Sequence, residues 1–343
     1  MKTIVLAGPC TVEAKGRAKV LGNEFEKIEL PEGSYTVCFE GDLVHNCQIL
    51  GQDVQCWDEI AEQIANTRGK VLIVGPVDSG KTYFVKTLVS LRAVDFVVDA
   101  DVGQNSLFLP GFVAGLEASK YDVFRFHQNR FSSLEFYGSI TPSTNPRLHA
   151  ELVAKIVRGN SVVDLDGWTH GFFAFRHKVE LIELVSPDYV VTTSEKIFRD
   201  LSHLGLKPVL LRPPETIAKR DRERRRAFRA SAYRAYFKDS KRINLNNLTV
   251  VGVEMGQGLF EAFGETVEVS PGECLADYSV QLRRVYVGLT YKGSVVGAGL
   301  LSYDERGLYV ETPVGEFDGV ILGNFSLSDF YDEVEFRIRK CRG

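Results

Sequence analysis

The segment Gly75-Pro76-Val77-Asp78-Ser79-Gly80-Lys81-Thr82 has the pattern G-x₄-G-K-[ST], and its chemistry can be read residue by residue. The glycines let the backbone curl until successive amide N–H groups face one concavity, which suits a run of phosphates. Lys81 supplies a point charge for the β- and γ-phosphates, and the Thr82 hydroxyl suits a Mg²⁺ held between them. The surroundings agree. The apolar run Val71-Leu72-Ile73-Val74 precedes the loop and a helical stretch opens at Tyr83, so the loop amides meet a helix N-terminus that favours anions. Residues 75–83 are therefore the candidate nucleotide-binding element, with ATP and Mg²⁺ as the implied ligands.

A pair of carboxylates leaves the end of the next apolar strand, in Val97-Val98-Asp99-Ala100-Asp101-Val102-Gly103-Gln104. Two residues apart in extended chain, Asp99 and Asp101 face the same side. Ligands of such sheets bind beyond the carboxyl ends of the strands. One carboxylate could hold Mg²⁺ with Thr82, and one could take the proton of an attacking hydroxyl; both are candidate metal ligands and Asp101 the candidate base. Solvated turn aspartates are the plainer alternative. No Asn-Lys-x-Asp follows a later strand, so a guanine-specifying element is missing, and Gly256-Gln257-Gly258 lacks the third glycine of a dinucleotide fingerprint.

Arginines are concentrated where phosphoryl transfer would need them. After Pro213-Pro214, the stretch from Glu215 to Phe237 reads as one helix, and at about 100° per residue Arg222, Arg225, Arg226 and Arg229 share a face. An arginine brought to a transferring phosphoryl group contributes roughly 10³–10⁵ in rate. A solvated helix with Asp221 and Glu223 as partners is the ordinary reading of such a run, and the phosphate loop in the same region tips the balance. Two more clusters follow strand ends or turns: Thr141-Pro142-Ser143-Thr144-Asn145, and Asp164-Leu165-Asp166-Gly167-Trp168. Trp168, one of two tryptophans, would stand at the ligand edge, where stacking contributes roughly 1–3 kcal/mol per base. A core tryptophan is the bland alternative.

These residues need a frame, and the texture of the chain supplies one. Residues 1–66 read as short strands between turns, as in Tyr35-Thr36-Val37-Cys38-Phe39, with a helical stretch at 58–65. From 67 to 245 apolar strands near 71–74, 96–98, 161–163, 189–191 and 209–211 alternate with helices near 82–92, 147–158, 174–186 and 194–204, which predicts a parallel sheet covered on both faces. From 246 to 343 the pattern returns to β, with a hairpin turning at Lys292-Gly293. The predicted fold class is α/β: a central P-loop NTPase domain with a mostly parallel sheet, flanked by small N-terminal and C-terminal β-domains.

At 343 residues with 44% hydrophobic and 25% charged composition, the chain has room for two or three ordinary globular domains. A formal net charge of −4 means that any polyanion site is a local basic patch on an acidic body. No apolar run reaches the roughly 18–20 residues that cross a bilayer, and Ile4–Ala7 is too short for a signal-peptide core. The expectation is a cytoplasmic protein with no membrane partner. Cys10, Cys38, Cys47, Cys56, Cys274 and Cys341 contain no C-x-x-C pair, which predicts six free thiols. A zinc site from His45, Cys47 and Cys56 is conceivable but lacks standard spacing.

The four clusters, with Gly138-Ser139-Ile140 leading the third, stand in the order found in the polynucleotide 5′-hydroxyl-kinase family. That family includes archaeal RNA kinases and the kinase subunit of the eukaryotic pre-mRNA cleavage machinery. The chain resembles it in layout throughout, most sharply between residues 70 and 240. The resemblance implies that Lys81 and Thr82 contact phosphate and Mg²⁺, that Asp101 activates the 5′-hydroxyl, and that Gln104 contacts substrate. It implies that Thr141, Pro142 and Asn145 form a clasp over the terminal nucleotide and that Trp168 stacks on its base. Arg220, Arg225 and Arg229 match lid arginines by their spacing, and the N-terminal domain is expected to cover the adenine. Two departures stand out. Thr169-His170-Gly171 replaces the frequent Val-Lys-Gly, removing a basic contact, and Arg222, Arg224 and Arg226 crowd the lid. The expected activity is transfer of the ATP γ-phosphoryl group to 5′-OH ends of RNA, and of DNA as well, with RNA-processing proteins as partners. A small-molecule P-loop kinase or ATPase, and a nucleotide-clamped non-catalytic subunit, are the rival readings.

Overall fold

Three sheets account for the strands of the computed structural model, which describes residues 1–124, 130–213, 221–245, 249–250, 282–304 and 306–335. The first sheet comprises β1 (Lys2–Lys15), β2 (Ala18–Val20), β3 (Asn23–Glu24), β4 (Lys27–Phe39), β5 (Asp42–His45) and β6 (Gln48–Gln52). Its strands run antiparallel in the order β3-β2-β4-β1-β5, with β6 also on β1. Leu6, Val12, Val20, Leu30 and Val37 fill its core. Here the free-thiol expectation is corrected. Cys10 bonds to Cys47 and Cys38 to Cys56, with Cα atoms 5.0 and 5.9 Å apart, so four of the six cysteines are paired. Separations of 37 and 18 residues hide pairs that sheet formation brings together. Because Cys47 and Cys56 are bonded to different partners, a zinc site with His45 is excluded. Cys274 and Cys341 lie outside the described residues.

The central sheet holds β7 (Val71–Val74), β8 (Phe96–Ala100), β9 (Phe112–Glu117), β10 (Ser133–Phe136), β11 (Ser161–Leu165), β12 (Tyr189–Thr192) and β13 (Val209–Leu210). Their order is β10-β9-β8-β11-β7-β12-β13; β8, β11, β7, β12 and β13 pair in parallel, and β9 and β10 add an antiparallel edge. Continuous apolar runs such as Val71–Val74 arise because both faces are covered. Helices α1 (Asp58–Thr67) and α2 (Lys81–Ser90) pack Ala61, Ile64, Phe84 and Leu88 on one face. On the other, α3 (Pro146–Ile156), α4 (Phe172–Val185) and α5 (Glu195–His203) pack Val153, Leu181, Val185 and Leu201. Each fully buried Leu or Phe contributes roughly 1.5–3 kcal/mol.

Helix α6 (Arg222–Phe237) is capped by the Asp221 carboxylate, which accepts the Arg224 N–H over 2.7 Å; the earlier part of the expected helix, residues 215–220, lies outside the described residues. Helix α6 buries Tyr233 and Phe237 against Tyr286 and Phe325 of the third sheet and Phe112 of β9. That sheet comprises β14 (Lys241–Asn244), β15 (Thr249–Val250), β16 (Val285–Tyr291), β17 (Ser294–Asp304), β18 (Gly307–Thr312), β19 (Gly319–Leu327) and β20 (Glu333–Glu335). The Tyr286 hydroxyl donates to the Pro110 carbonyl over 2.9 Å, tying this sheet to the loop before β9.

Candidate active site

The loop between β7 and α2 is shaped by contacts that leave no room for side chains at its glycines. A Cβ on Gly75 would come within 1.9 Å of the Thr193 hydroxyl, and one on Gly80 within 2.7 Å of the Trp57 ring. Gly80 also has a positive φ of 88°. Trp57 is 6% exposed and anchors its Nε1 on the Arg212 carbonyl over 3.2 Å, so a residue preceding α1 forms a wall of the loop. Lys81 Nζ donates to the Pro76 carbonyl over 2.9 Å, and Ser79 Oγ donates to the same oxygen over 2.8 Å. The loop is thus closed on itself, with its lysine inside.

Strand order places the carboxylates. β7 lies beside β11, so Asp164 reaches Thr82, whose hydroxyl donates to Asp164 Oδ2 over 2.6 Å. Asp164 Oδ1 is buried without a hydrogen-bond partner. Asp99 is held differently: Oδ2 accepts the Ser106 N–H and hydroxyl, each over 2.6 Å, and Oδ1 accepts the Asp101 N–H over 3.0 Å. Asp99 therefore braces the 99–106 turn, and the carboxylate hydrogen-bonded to Thr82 is Asp164, which is not among the expected metal ligands Asp99 and Asp101. Burial pushes both Asp99 and Asp164 above the usual carboxylate range, with the Asp164 charge adding to the rise at Asp99 and those of Asp101 and Asp166 adding to it at Asp164. Asp101, half-buried, accepts the Gly103 and Gln104 N–H groups at Oδ1, each over 3.0 Å. Burial raises its pKa while the Lys81 charge opposes the rise.

A cavity of about 440 Å³ joins these groups. Its walls include residues 77–83 of the loop, Asp99, Asp101, Gln104, Ser106 and Asp164, then Gly33, Ser34, Thr36 and Trp57, with Phe228 of α6 on the lid side. Gln104 Nε2 is buried without a partner. Tyr83 exchanges hydrogen bonds with the Thr36 backbone through its hydroxyl, over 3.0 and 3.2 Å, and so fastens the first sheet to α2. Trp57, Thr36, Ser106 and Phe228 escaped the sequence reading, because nothing local to them signals a ligand.

The remaining sequence-derived residues do not line this cavity. Thr141 accepts the Ser143 N–H, Pro142 opens a 3₁₀ turn over Pro142–Thr144, and Asn145 Oδ1 caps α3 by accepting the Leu148 N–H over 3.1 Å. This turn adjoins Asp101's: a Cβ on Gly103 would meet the Ile140 carbonyl at 3.0 Å. Trp168 is half-buried with its ring on that of His177, 5.6 Å between centroids. Its neighbour Gly167 presses on the phosphate loop, where a Cβ would sit 2.7 Å from Val77 N. Arg229 is held by Glu333 over 2.6 and 3.1 Å and Arg226 by Asp332 over 2.8 Å, so much of the predicted basic face docks on the third sheet. Arg225 is half-buried, three residues before Phe228, which lines the cavity. Arg220 lies outside the described residues.

This arrangement defines a P-loop nucleotide-binding α/β domain. Residues 75–239 match the family described as mRNA cleavage and polyadenylation factor CLP1 P-loop. The polyribonucleotide 5′-hydroxyl-kinase of Pyrococcus furiosus is 28% identical over 214 residues, covering 55% of this chain and 57% of the relative. The enzyme of that name from Pyrococcus abyssi is 24% identical over 326 residues, covering 76% and 87%. Rat Clp1, also named polyribonucleotide 5′-hydroxyl-kinase, is 27% identical over 202 residues, covering 52% and 47%. The chain thus spans under three-fifths of several of its curated relatives. A Clp1p–Pcf11p complex contains a chain of similar fold, with a TM-score of 0.63 at 15% identity over 94% of this chain and 97% of that one.

Proposed function

We propose that the protein transfers the γ-phosphoryl group of ATP to the 5′-hydroxyl end of a polynucleotide, RNA first and DNA as well. The observation that carries this reading is the single cavity in which the phosphate-loop lysine, the Thr82–Asp164 pair and Asp101 meet. The kinase names of the relatives give the acceptor its class.

Lys81 would turn from the Pro76 carbonyl to the β- and γ-phosphates, while the loop amides and the α2 N-terminus hold their oxygens. Gly33, Ser34, Thr36 and Trp57 line the side of the cavity suited to adenine. The donor set fits a hard divalent cation: the Thr82 hydroxyl, an unpartnered Asp164 oxygen, and carboxylates whose pKa values rise in each other's company. Bound there, Mg²⁺ would neutralise charge on the phosphate oxygens. Asp101 would accept the acceptor hydroxyl's proton as that oxygen bonds to the γ-phosphorus and the bond to the β–γ bridging oxygen breaks, releasing ADP. Gln104 and the 141–145 turn would hold the terminal nucleotide, Trp168 its base, and Arg225 the transferring group. We read residues 1–66, 67–245 and 246–343 as N-terminal β-domain, kinase domain and C-terminal β-domain. The three sheets support this division, although β14 at Lys241–Asn244 already joins the third. RNA-processing proteins are the proposed partners and the cytoplasm the proposed location.

The test is transfer of labelled γ-phosphate from ATP to a 5′-OH oligonucleotide, with nucleosides and a 5′-phosphorylated oligonucleotide as controls. Label on the 5′-OH oligonucleotide alone, abolished by Lys81→Ala, is expected. Transfer to nucleosides but not oligonucleotides would sink the polynucleotide reading.

A further inference from the structure

A second set of buried polar groups lies beside the cavity, and none of the steps above uses it. His149 on α3, His177 and Lys178 on α4, and Asp166 after β11 are 0%, 1%, 1% and 3% exposed. His149 Nε2 stands 2.9 Å from the Ala100 carbonyl oxygen, which can only accept, so this nitrogen carries the hydrogen. Burial keeps both imidazoles neutral. His149 Nδ1 is then a bare acceptor and takes the hydrogen of His177 Nε2 over 3.0 Å. His177 Nδ1, bare in turn, faces Lys178 Nζ at 3.5 Å, and Lys178 Nζ donates to Asp166 Oδ2 over 2.6 Å. Asp166 Oδ1 accepts the Trp168 N–H over 2.6 Å. Only one arrangement of hydrogens satisfies the whole chain.

Its ends fall on the segments that an acceptor must find in place. Ala100 precedes Asp101. His149 sits one turn into the helix that Asn145 caps, edge-on to the Tyr137 ring at 5.4 Å. The Tyr137 hydroxyl donates to the Pro142 carbonyl over 3.0 Å and accepts the Asn145 N–H over 2.9 Å. The His177 ring supports Trp168. His149, Asp166 and His177 also offer atoms within 4.8 Å of one another, as a metal site would. The Lys178 ammonium already occupies Asp166, so the cation of this cluster is a side chain.

We infer that the chain Ala100–His149–His177–Lys178–Asp166 is a positioning device for the acceptor: it fixes Trp168 and the 141–145 turn relative to Asp101. This rests on the 5′-OH kinase reading, and His149 and His177 act through other residues without touching substrate. His149→Leu breaks the chain, and His149→Gln keeps a donor for the Ala100 carbonyl. His177→Phe is a second break that preserves a ring beneath Trp168, for use should His149→Leu fail to fold. The breaking variants should raise KM for a 5′-OH oligonucleotide by about 10- to 100-fold, with KM for ATP within about two-fold, and His149→Gln should recover most of the loss. In a Trp57→Phe background, where Trp168 is the remaining tryptophan, the breaks should also shift its fluorescence. An unchanged oligonucleotide KM, or both KM values rising together, overturns the inference. Unmodified protein that labels no oligonucleotide overturns the kinase reading instead, and the Trp168 fluorescence then decides the positioning claim by itself.

Discussion

Removing the Arg229 side chain should unfold the protein more readily than it slows the chemistry, the reverse of what a free lid arginine would do. Arg229 and Glu333 are joined by two hydrogen bonds of 2.6 and 3.1 Å, and their side chains are 14% and 10% exposed. Arg229→Ala leaves the Glu333 carboxylate largely out of water with no partner. Breaking one side of a buried pair costs about 3–5 kcal/mol, and the residual exposure puts this pair near about 3. Glu333→Gln keeps an acceptor for the guanidinium and should cost about 1–2 kcal/mol. The double variant should lose less than the sum, because the second change no longer strands a charge. Arg225, three residues before the cavity-lining Phe228, should behave oppositely as the proposed lid arginine: Arg225→Ala should lower kcat by roughly 10³-fold with stability within about 0.5 kcal/mol. Urea unfolding of the four variants, with kcat from labelled-phosphate transfer on the same preparations, separates the two roles. The reasoning fails if Arg229→Ala keeps the wild-type urea midpoint while its kcat falls as far as that of Arg225→Ala.

Two further perturbations test neighbouring claims. Asp101→Asn should reduce transfer by roughly 10²–10⁴ with ATP binding retained, whereas Asp99→Asn should mainly loosen the 99–106 turn; the opposite ranking in single-turnover assays would reverse the two carboxylates. Asp58, 2% exposed with Oδ2 unpartnered, has its pKa pushed by burial from the usual 3.8 to about 6. The folded state thus binds this proton more tightly than the unfolded chain, so the penalty is absent below about pH 4, grows up to about 6, and is complete above. Asp58→Asn should stabilise by about 3 kcal/mol near pH 8 and by little near pH 4; equal urea midpoints for both proteins near pH 8 would count against it.

Much of the fold was legible because the parallel strands are buried on both faces and so read as unbroken apolar runs. The antiparallel edge was not. β9 contains Ala114 and Gly115, which look like loop composition, yet a Cβ on Gly115 would lie 2.5 Å from the Phe96 ring. The glycine is there for close packing, and its conformational freedom misleads a reading by composition. The disulfides were hidden for a related reason: antiparallel pairing decides which cysteines meet, and four scattered positions do not disclose a register.

The site divides along the same line. The phosphate loop and the Asp99–Gln104 turn are contiguous, so spacing alone announces their chemistry, and the cavity contains both. Asp164 is an aspartate at a strand end like Asp99, and nothing within its own segment ranks one above the other. The ranking comes from β11 lying between β7 and β8, which carries Asp164 to the Thr82 hydroxyl and leaves Asp99 to brace its own turn. Arg229 teaches the same lesson from the other side: helical periodicity found the basic face correctly, but could not see Glu333 arriving from β20 to hold it. Local pattern names the groups able to do chemistry, and strand order and docking decide which of them remain available to a substrate.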